Sequence, residues 1–195
     1  MKQFDYTEKW KKLLTPEIVS YLTTIHEYKG KQHLIAERHS DVLENLVELA
    51  KIQSTESSNK IEGIYTSDER LKKIVLDKTM PRTRNEREIA GYRDVLNTIH
   101  ENFQHIPIRD TFILQLHRDL YKFENDSNGG RFKTSDNIIE EEDEKGNKFV
   151  RFRPLPAWET PDAIINLCTA YNEAINQGEA DSLLLISMFI IDFFC

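Results

Sequence analysis

The sequence predicts a mainly α-helical protein with one β-hairpin. Apolar side chains recur at spacings of three and four along several long segments, which is the period of one buried helix face. Only residues 137–139 and 148–152 are β-prone, and one hairpin is too small to form a layer of a fold. With 39% hydrophobic residues in 195, the chain can form one good core, or a small domain and part of a second.

The N-terminal part, residues 16–61, is predicted to be helical with a break at Lys29-Gly30. Thr15 can cap the first free N–H groups, and a proline at position 16 fits a first helical turn. One buried face of the second helix is predicted to consist of Val42, Leu43, Leu46, Val47 and Ala50. A short helix should follow over residues 68–77. The polar segment 78–82 contains a proline and is the predicted boundary between a region 1–80 and a domain 84–195.

Four helices and the hairpin are predicted beyond this boundary. Residues 86–103 and 108–123 form two amphipathic helices, and the turn-forming residues 125–130 end the second. The hairpin should carry the acidic run 140–144 at a solvated tip. A helix then covers residues 160–176. The last helix starts near Asp181 and is apolar on all sides, which predicts that neighbouring helices cover it completely.

Charge and composition narrow the classes of function. A net charge of −7 argues against nucleic-acid binding, which needs a concentrated basic surface. The most apolar segment, residues 183–194, has about half of the roughly 20 residues that a membrane-spanning helix needs. Cys168 and Cys195 have no metal-site or disulfide spacing, and no apolar run of signal-peptide type follows the N-terminus. We therefore expect a cytoplasmic protein that does not contact a membrane.

The most informative motif lies at the end of the second helix. Ser58 and Glu62 are four residues apart and share one side of the helix, and Gly63 can end it. By itself this describes an ordinary helix end with a polar side. However, Ser-x-x-x-Glu-Gly at the end of an N-terminal helix (about 42–63) resembles the inhibitory motif of the Fic (Fido) family of protein adenylyltransferases.

Downstream segments resemble the same family in the same order. Residues 88–96 resemble its Glu-x-x-x-Tyr-x-x-x-Leu helix, and residues 116–120 its Leu-His-x-x-Leu helix. Residues 129–132, Gly-Gly-Arg-Phe, resemble its Gly-x-(Tyr/Phe)-Arg turn with the aromatic residue and arginine exchanged. The hairpin, at about 135–156, occupies the place of the family's target-docking flap. The candidate docking residues are Asn137, Ile138, Ile139, Phe149 and Val150.

The resemblance implies transfer of AMP from ATP, with Mg²⁺, to a hydroxyl side chain of a target protein. It also implies that Glu62 is inhibitory, because it competes with phosphate for a binding arginine, while Ser58 anchors the helix and Gly63 turns the backbone away. The family signature, His-Pro-Phe-x-(Asp/Glu)-Gly-Asn-Gly-Arg-x-x-Arg, does not occur here, and none of the six histidines precedes Pro-Phe. We therefore expect an incomplete Fic domain that holds no catalytic residue and is inactive by itself.

The alternative is a non-catalytic helical module for protein interaction, which the missing signature favours. The expected partner is a target protein. The apolar last helix also needs cover, which we expect either from a second copy of the chain or from parts of the protein outside this sequence.

Overall fold

A computed structural model describes residues 2–36, 40–124 and 129–194. In these ranges the chain is mainly helical with one two-stranded antiparallel sheet, which confirms the predicted class. Two short 3-10 helices occur, at Lys9–Leu13 and Phe103–His105. The α-helices are α1 (Pro16–Ala36), α2 (Ser40–Ile61), α3 (Asp68–Val75), α4 (Arg84–Asn102), α5 (Asp110–Leu120), α6 (Thr160–Gln177) and α7 (Ser182–Phe194), and the strands are β1 (Ile139–Glu142) and β2 (Lys148–Phe152).

Local capping explains where several helices begin and end. The Thr15 hydroxyl accepts a hydrogen bond from the Ile18 N–H at 3.2 Å, and the Thr83 hydroxyl accepts one from the Glu86 N–H at 3.2 Å. Gly178 ends α6 with a φ of 68°, a left-handed conformation that favours glycine. In the described ranges, no helix is long and apolar enough to cross a membrane.

The predicted break at Lys29-Gly30 is wrong, because α1 continues through both residues. One interior glycine costs a helix only about 1 kcal/mol relative to alanine, which the hydrogen-bonded turns on both sides outweigh. The gap between α1 and α2 falls at residues 37–39, outside the described residues. The predicted turn residues 125–128 and Cys195 also lie outside them.

The predicted buried face of α2 is wrong as well. Leu46 and Val47 are 53% and 46% exposed, and Ala50 is exposed too. Leu43 is half-buried, and the side chain of Val42 lies outside the described residues. Among the described side chains of α2, the buried ones are Thr55 and Asn59, in its C-terminal half. Periodicity identified an apolar side of the helix, but burial depends on where neighbouring helices pack.

The chain divides into two compact units. The first consists of Met1–Leu22, Ile108–Asp110 and Phe132–Cys195, and the second of Thr23–Pro107 and Thr111–Arg131. The core of the first joins the N-terminal segment to α6 and α7 through Tyr6, Leu167, Ala174, Leu185 and Met188. Within it, the buried Tyr6 hydroxyl donates to the Asp192 carboxylate at 3.1 Å.

The core of the second unit joins α3 to α4. Its buried residues are Leu71, Ile74, Val75, Ile89 and Ala90. The guanidinium of the buried Arg93 adds a hydrogen bond of 2.7 Å to the Ile74 carbonyl. The second compact unit therefore extends across the predicted boundary at residue 80, and residues before and after this boundary belong to the same core. The division into 1–80 and 84–195 stays a sequence-based prediction.

Within the same unit, α4 and α5 approach unusually closely at Gly91. A Cβ atom added at this residue would lie 1.9 Å from the carbonyl oxygen of Leu120. Because this neighbour is backbone, it cannot rotate away as a side chain could. Only glycine therefore fits at this crossing, and it fixes the position of Tyr92, the next residue on α4.

The hairpin differs from its prediction in the position of its first strand. Ile139 pairs with Phe152 and Glu142 with Lys148, with a bulge after Ile139. The first strand therefore begins at the end of the predicted segment 137–139, and three residues of the acidic run lie in the strand instead of at the tip. Basic residues of β2 compensate their charge, since Arg151 forms an ion pair with Glu141.

Helix α7 is covered on one side only. Leu184, Leu185 and Met188 are buried, so this face contributes to the core of the first unit. The described residues leave its other side uncovered, and the expected cover by a second copy of the chain or by parts of the protein outside this sequence stays a prediction. The exposed apolar residues are Ile186, Ile190, Ile191, Phe193 and Phe194.

Gly91→Ala should destabilise the protein by about 1–3 kcal/mol, because the added methyl group overpacks the α4–α5 crossing. Gly30→Ala is the matched control, since a Cβ at Gly30, also inside a helix, meets nothing within 4 Å. It should be neutral or stabilise by up to about 1 kcal/mol. Urea unfolding followed by circular dichroism at 222 nm measures both. Equal stability of the two variants would contradict the close crossing.

Candidate functional site

The C-terminus of α2 ends in a tight hydrogen-bonded turn. The Ile64 N–H donates to the Asn59 carbonyl at 2.9 Å, and the Gly63 N–H donates to the Lys60 carbonyl at 3.0 Å. These two bonds form a Schellman motif, which needs a left-handed residue, and Gly63 has a φ of 74°. The prediction that Gly63 ends the helix is confirmed. Glu62 is therefore the last residue before the chain turns.

Ser58 joins the end of α2 to α4. Its hydroxyl lies 2.9 Å from the hydroxyl of Tyr92, and the Ser54 hydroxyl lies 3.4 Å from the same atom. Ser58 belongs to the Ser-x-x-x-Glu-Gly motif and Tyr92 to the Glu-x-x-x-Tyr motif. The fold thus brings together two motifs that are 34 residues apart.

A pocket of about 460 Å³ lies beside this contact. Its volume is in the range of roughly 300–1,000 Å³ found for small-molecule sites. Residues from α2, α4 and the end of α5 form its walls. They are Ser58, Asn59, Glu62, Ile64, Glu88, Tyr92, Leu120 and Tyr121.

The pocket walls carry negative charge. They include two carboxylates, Glu62 and Glu88, and no lysine or arginine. The Glu88 carboxylate accepts a hydrogen bond from Arg84 at 3.0 Å. The Glu62 carboxylate has no hydrogen bond or ion pair with any residue in the described ranges. The tyrosine rings and this free carboxylate suit a positively charged group, and the pocket by itself does not fit a triphosphate.

The Leu-His-x-x-Leu helix and the Gly-Gly turn also meet in the structure. The Gly130 N–H donates to Nδ1 of His117 at 3.0 Å, and the His117 ring contacts the edge of Tyr121. A Cβ at Gly130 would lie 2.7 Å from the Arg118 side chain, and Gly130 has a φ of 76°. His117 therefore acts as a hydrogen-bond acceptor that holds the turn on α5.

The predicted docking residues belong to the first compact unit, whereas Ser58, Glu62 and Gly63 belong to the second. Ile138, Ile139, Phe149 and Val150 are exposed, and the Asn137 side chain accepts a hydrogen bond from Lys133 at 2.8 Å. The Asp136 carboxylate accepts a hydrogen bond from the Ala157 N–H at 2.7 Å and closes the base of the hairpin. An exposed two-stranded hairpin can pair with an extended peptide at a strand edge.

No group of three or more histidine, cysteine, aspartate or glutamate side chains is arranged to hold a metal ion in the part of the chain that the structure describes.

Sequence reasoning missed an ion pair that holds the start of α4. The buried Glu86 carboxylate accepts two hydrogen bonds from the Arg70 guanidinium, at 2.9 and 2.6 Å, and one from the Arg82 N–H at 2.7 Å. The Arg70 guanidinium, and then the Arg82 N–H, lower the pKa of Glu86 to about 2 against the opposing effect of burial. The Thr83-x-x-Glu86 spacing of a capping box was the available signal.

No protein-family model matches the sequence, and no curated protein matches it.

Glu86→Gln should cost about 2 kcal/mol of stability at pH 7, because the variant loses a charged hydrogen-bonded pair that is largely buried. The folded pKa lies below the ordinary value of 4.5, so the carboxylate stabilises the fold above about pH 4.5 and loses this effect as the pH falls towards 2. The difference in unfolding free energy between the wild type and Glu86→Gln should therefore narrow below pH 4.5. Urea unfolding at several pH values measures this difference.

Glu69→Gln is the matched control for this experiment. Its carboxylate is exposed and pairs with Lys73 four residues later on α3, so little change is expected. A difference in unfolding free energy between the wild type and Glu86→Gln that stays constant from pH 7 to pH 3 would contradict the buried ion pair.

Proposed function

We propose that the chain is part of a Fic-type protein adenylyltransferase, which transfers AMP from ATP to a hydroxyl side chain of a target protein. The contact between Ser58 and Tyr92 carries this proposal. It joins the segment that resembles an inhibitory motif to a segment that resembles the core of the same family. Such a contact is what an inhibitory helix packed on its own domain requires.

Glu62 is the proposed inhibitory residue. Its carboxylate lines the pocket beside Tyr92 and is free to bind an arginine supplied by the family signature. With Glu88 nearby, the negative charge also opposes a triphosphate that approaches the same arginine. ATP would then bind badly while α2 stays in place. ATP and Mg²⁺ enter this proposal only through the family resemblance, because the pocket residues present do not form their site.

The hairpin is the proposed docking surface for the target. Its exposed apolar side chains and unpaired strand edges suit an extended segment of another protein.

The proposed compartment is the cytoplasm. Burial, and then the charge of Asp110, raise the pKa of the Cys168 thiol to about 11, so this thiol stays protonated and unreactive.

A second candidate is a non-catalytic interaction module. The exposed apolar side of α7 favours it, because such a surface suits a partner protein. The coding sequence after Cys195 distinguishes the two functions. A His-Pro-Phe signature in the next codons supports the enzyme, whereas a stop codon supports the module.

The 195 residues by themselves should show no AMP transfer to themselves or to added protein, since neither the signature histidine nor the phosphate-binding loop occurs in them. Incubation with labelled ATP and Mg²⁺, followed by gel electrophoresis, measures this. Protein-bound label that persists through purity controls would contradict the assignment of the active site to residues outside this sequence.

In a protein that continues with the family signature, Glu62→Gly and Glu62→Gln should raise AMP transfer by about tenfold or more, because a charged hydrogen bond to the phosphate-binding arginine is lost. Glu56→Gln is the matched control on the same helix, where the carboxylate pairs with Lys60 on the exposed side. The initial rate of label incorporation is the measurement. Unchanged activity in folded Glu62 variants would remove Glu62 from the inhibitory role.

A further inference from the structure

Among the described side chains of α2, the fully buried ones lie in its last two turns. In the first half, Leu46 and Val47 are exposed. In the second half, the buried residues Thr55 and Asn59 are both polar. The partly buried Ile52 and Ile64 pack against the core of the unit.

The polar groups at this interface are incompletely satisfied within the described residues. The Asn59 amide donates to the Thr55 carbonyl at 2.7 Å, but this bond lies within α2. The Thr55 hydroxyl is buried with no hydrogen-bond partner. Burial of an unpaired hydroxyl opposes docking, so the end of α2 depends on the polar contacts that do cross to α4.

The Tyr92 hydroxyl provides these contacts. Ser58 lies 2.9 Å from it, within normal hydrogen-bond range, and Ser54 lies 3.4 Å from it, which is a weaker contact. The two serines are one turn apart on the same face of α2. Glu62 follows Ser58 by one further turn, so a displacement at Ser58 also displaces the carboxylate.

The position of Tyr92 is itself constrained. Gly91, its neighbour on α4, touches the backbone of Leu120 so closely that α5 blocks any sideways shift. Leu120 and Tyr121 then form the opposite wall of the pocket that Glu62 lines. Tyr92 therefore lies beside a close backbone contact, and the last turns of α2 that it holds have polar residues at their buried positions.

We propose that Tyr92 is a positioning residue whose hydroxyl latches the last turns of α2, and with them Glu62, beside the pocket. Loss of the latch releases these turns while the α3–α4 core stays folded. The regulatory consequence rests on the proposed function: in the adenylyltransferase, release of the latch relieves inhibition by Glu62.

Hydrogen exchange tests the latch in the chain itself. In Tyr92→Phe, the amides of residues 62–64, which bond to Asn59 and Lys60, should exchange about fivefold faster, as expected for loss of one ordinary hydrogen bond. Ser58→Ala should increase the exchange rate less, because the Tyr92 hydroxyl keeps its contact with the Ser54 hydroxyl. The double variant should exchange no faster than Tyr92→Phe, since both changes remove the same contact.

Two variants serve as matched controls. Ser57→Ala changes the exposed serine next to Ser58, and Tyr121→Phe removes a hydroxyl that has no hydrogen bond in the described residues. Neither should change exchange at residues 62–64. Unchanged exchange in Tyr92→Phe would overturn the latch. An equal rise in the exchange rates of the α3–α4 core amides would also overturn the latch. Such a rise would show a loss of overall stability instead of a local release of α2.

AMP transfer by the protein that carries the signature tests the consequence separately. Tyr92→Phe should raise transfer in the same direction as Glu62→Gly. If Glu62→Gly raises transfer and Tyr92→Phe does not, the regulatory role of Tyr92 is overturned. If no variant transfers AMP while exchange is faster in Tyr92→Phe, the proposed function fails and the latch is supported.

Discussion

The C-terminal end of α5 lies so close to α4 that the carbonyl of Leu120 occupies the space where a side chain at residue 91 would begin. This constraint fixes the features around it. Tyr92 follows directly on α4 and faces the end of α2, while Tyr121 follows Leu120 and forms the opposite side of the pocket. His117, one turn earlier on α5, holds the Gly129-Gly130 turn on the same helix. The close contact at Gly91 thus joins the helix that carries Tyr92 to the end of the helix that carries His117.

Polar contacts hold the surrounding helices in place as much as apolar ones do. Arg70 and Glu86 join α3 to the start of α4, and the Arg93 guanidinium joins α4 to the Ile74 carbonyl of α3. Both pairs are geometrically specific, because an arginine fork binds a carboxylate or carbonyl only in a narrow range of orientations. The apolar core of Leu71, Ile74 and Ile89 drives the packing, and these contacts set the register of the two helices.

The pocket and the hairpin have different chemical characters. The pocket is small, acidic and aromatic, with one free carboxylate at a helix end, and it suits a cationic group. The hairpin is an exposed pair of strands with apolar side chains on its surface, and it suits an extended polypeptide. An autoinhibited protein-modifying enzyme needs both kinds of surface, which is why the proposed function accounts for more of the observations than a simple interaction module does.

The sequence by itself determined the helical class, most helix limits and the position of the hairpin. These features depend on a few adjacent residues: Thr15 caps a neighbouring N–H, and Gly63 and Gly178 adopt left-handed conformations that end a helix. The order of the motifs was also readable, because it needs no knowledge of contacts.

Only the tertiary structure decided which residues are buried and which motifs meet. The apolar side of α2 is exposed at Leu46, whereas the polar Thr55 is buried, since burial depends on where other helices pack. The contact of Ser58 with Tyr92 likewise needed the folded chain. Local signals act over one or two turns, but burial and contact arise when distant segments pack, and no short stretch of sequence carries that information.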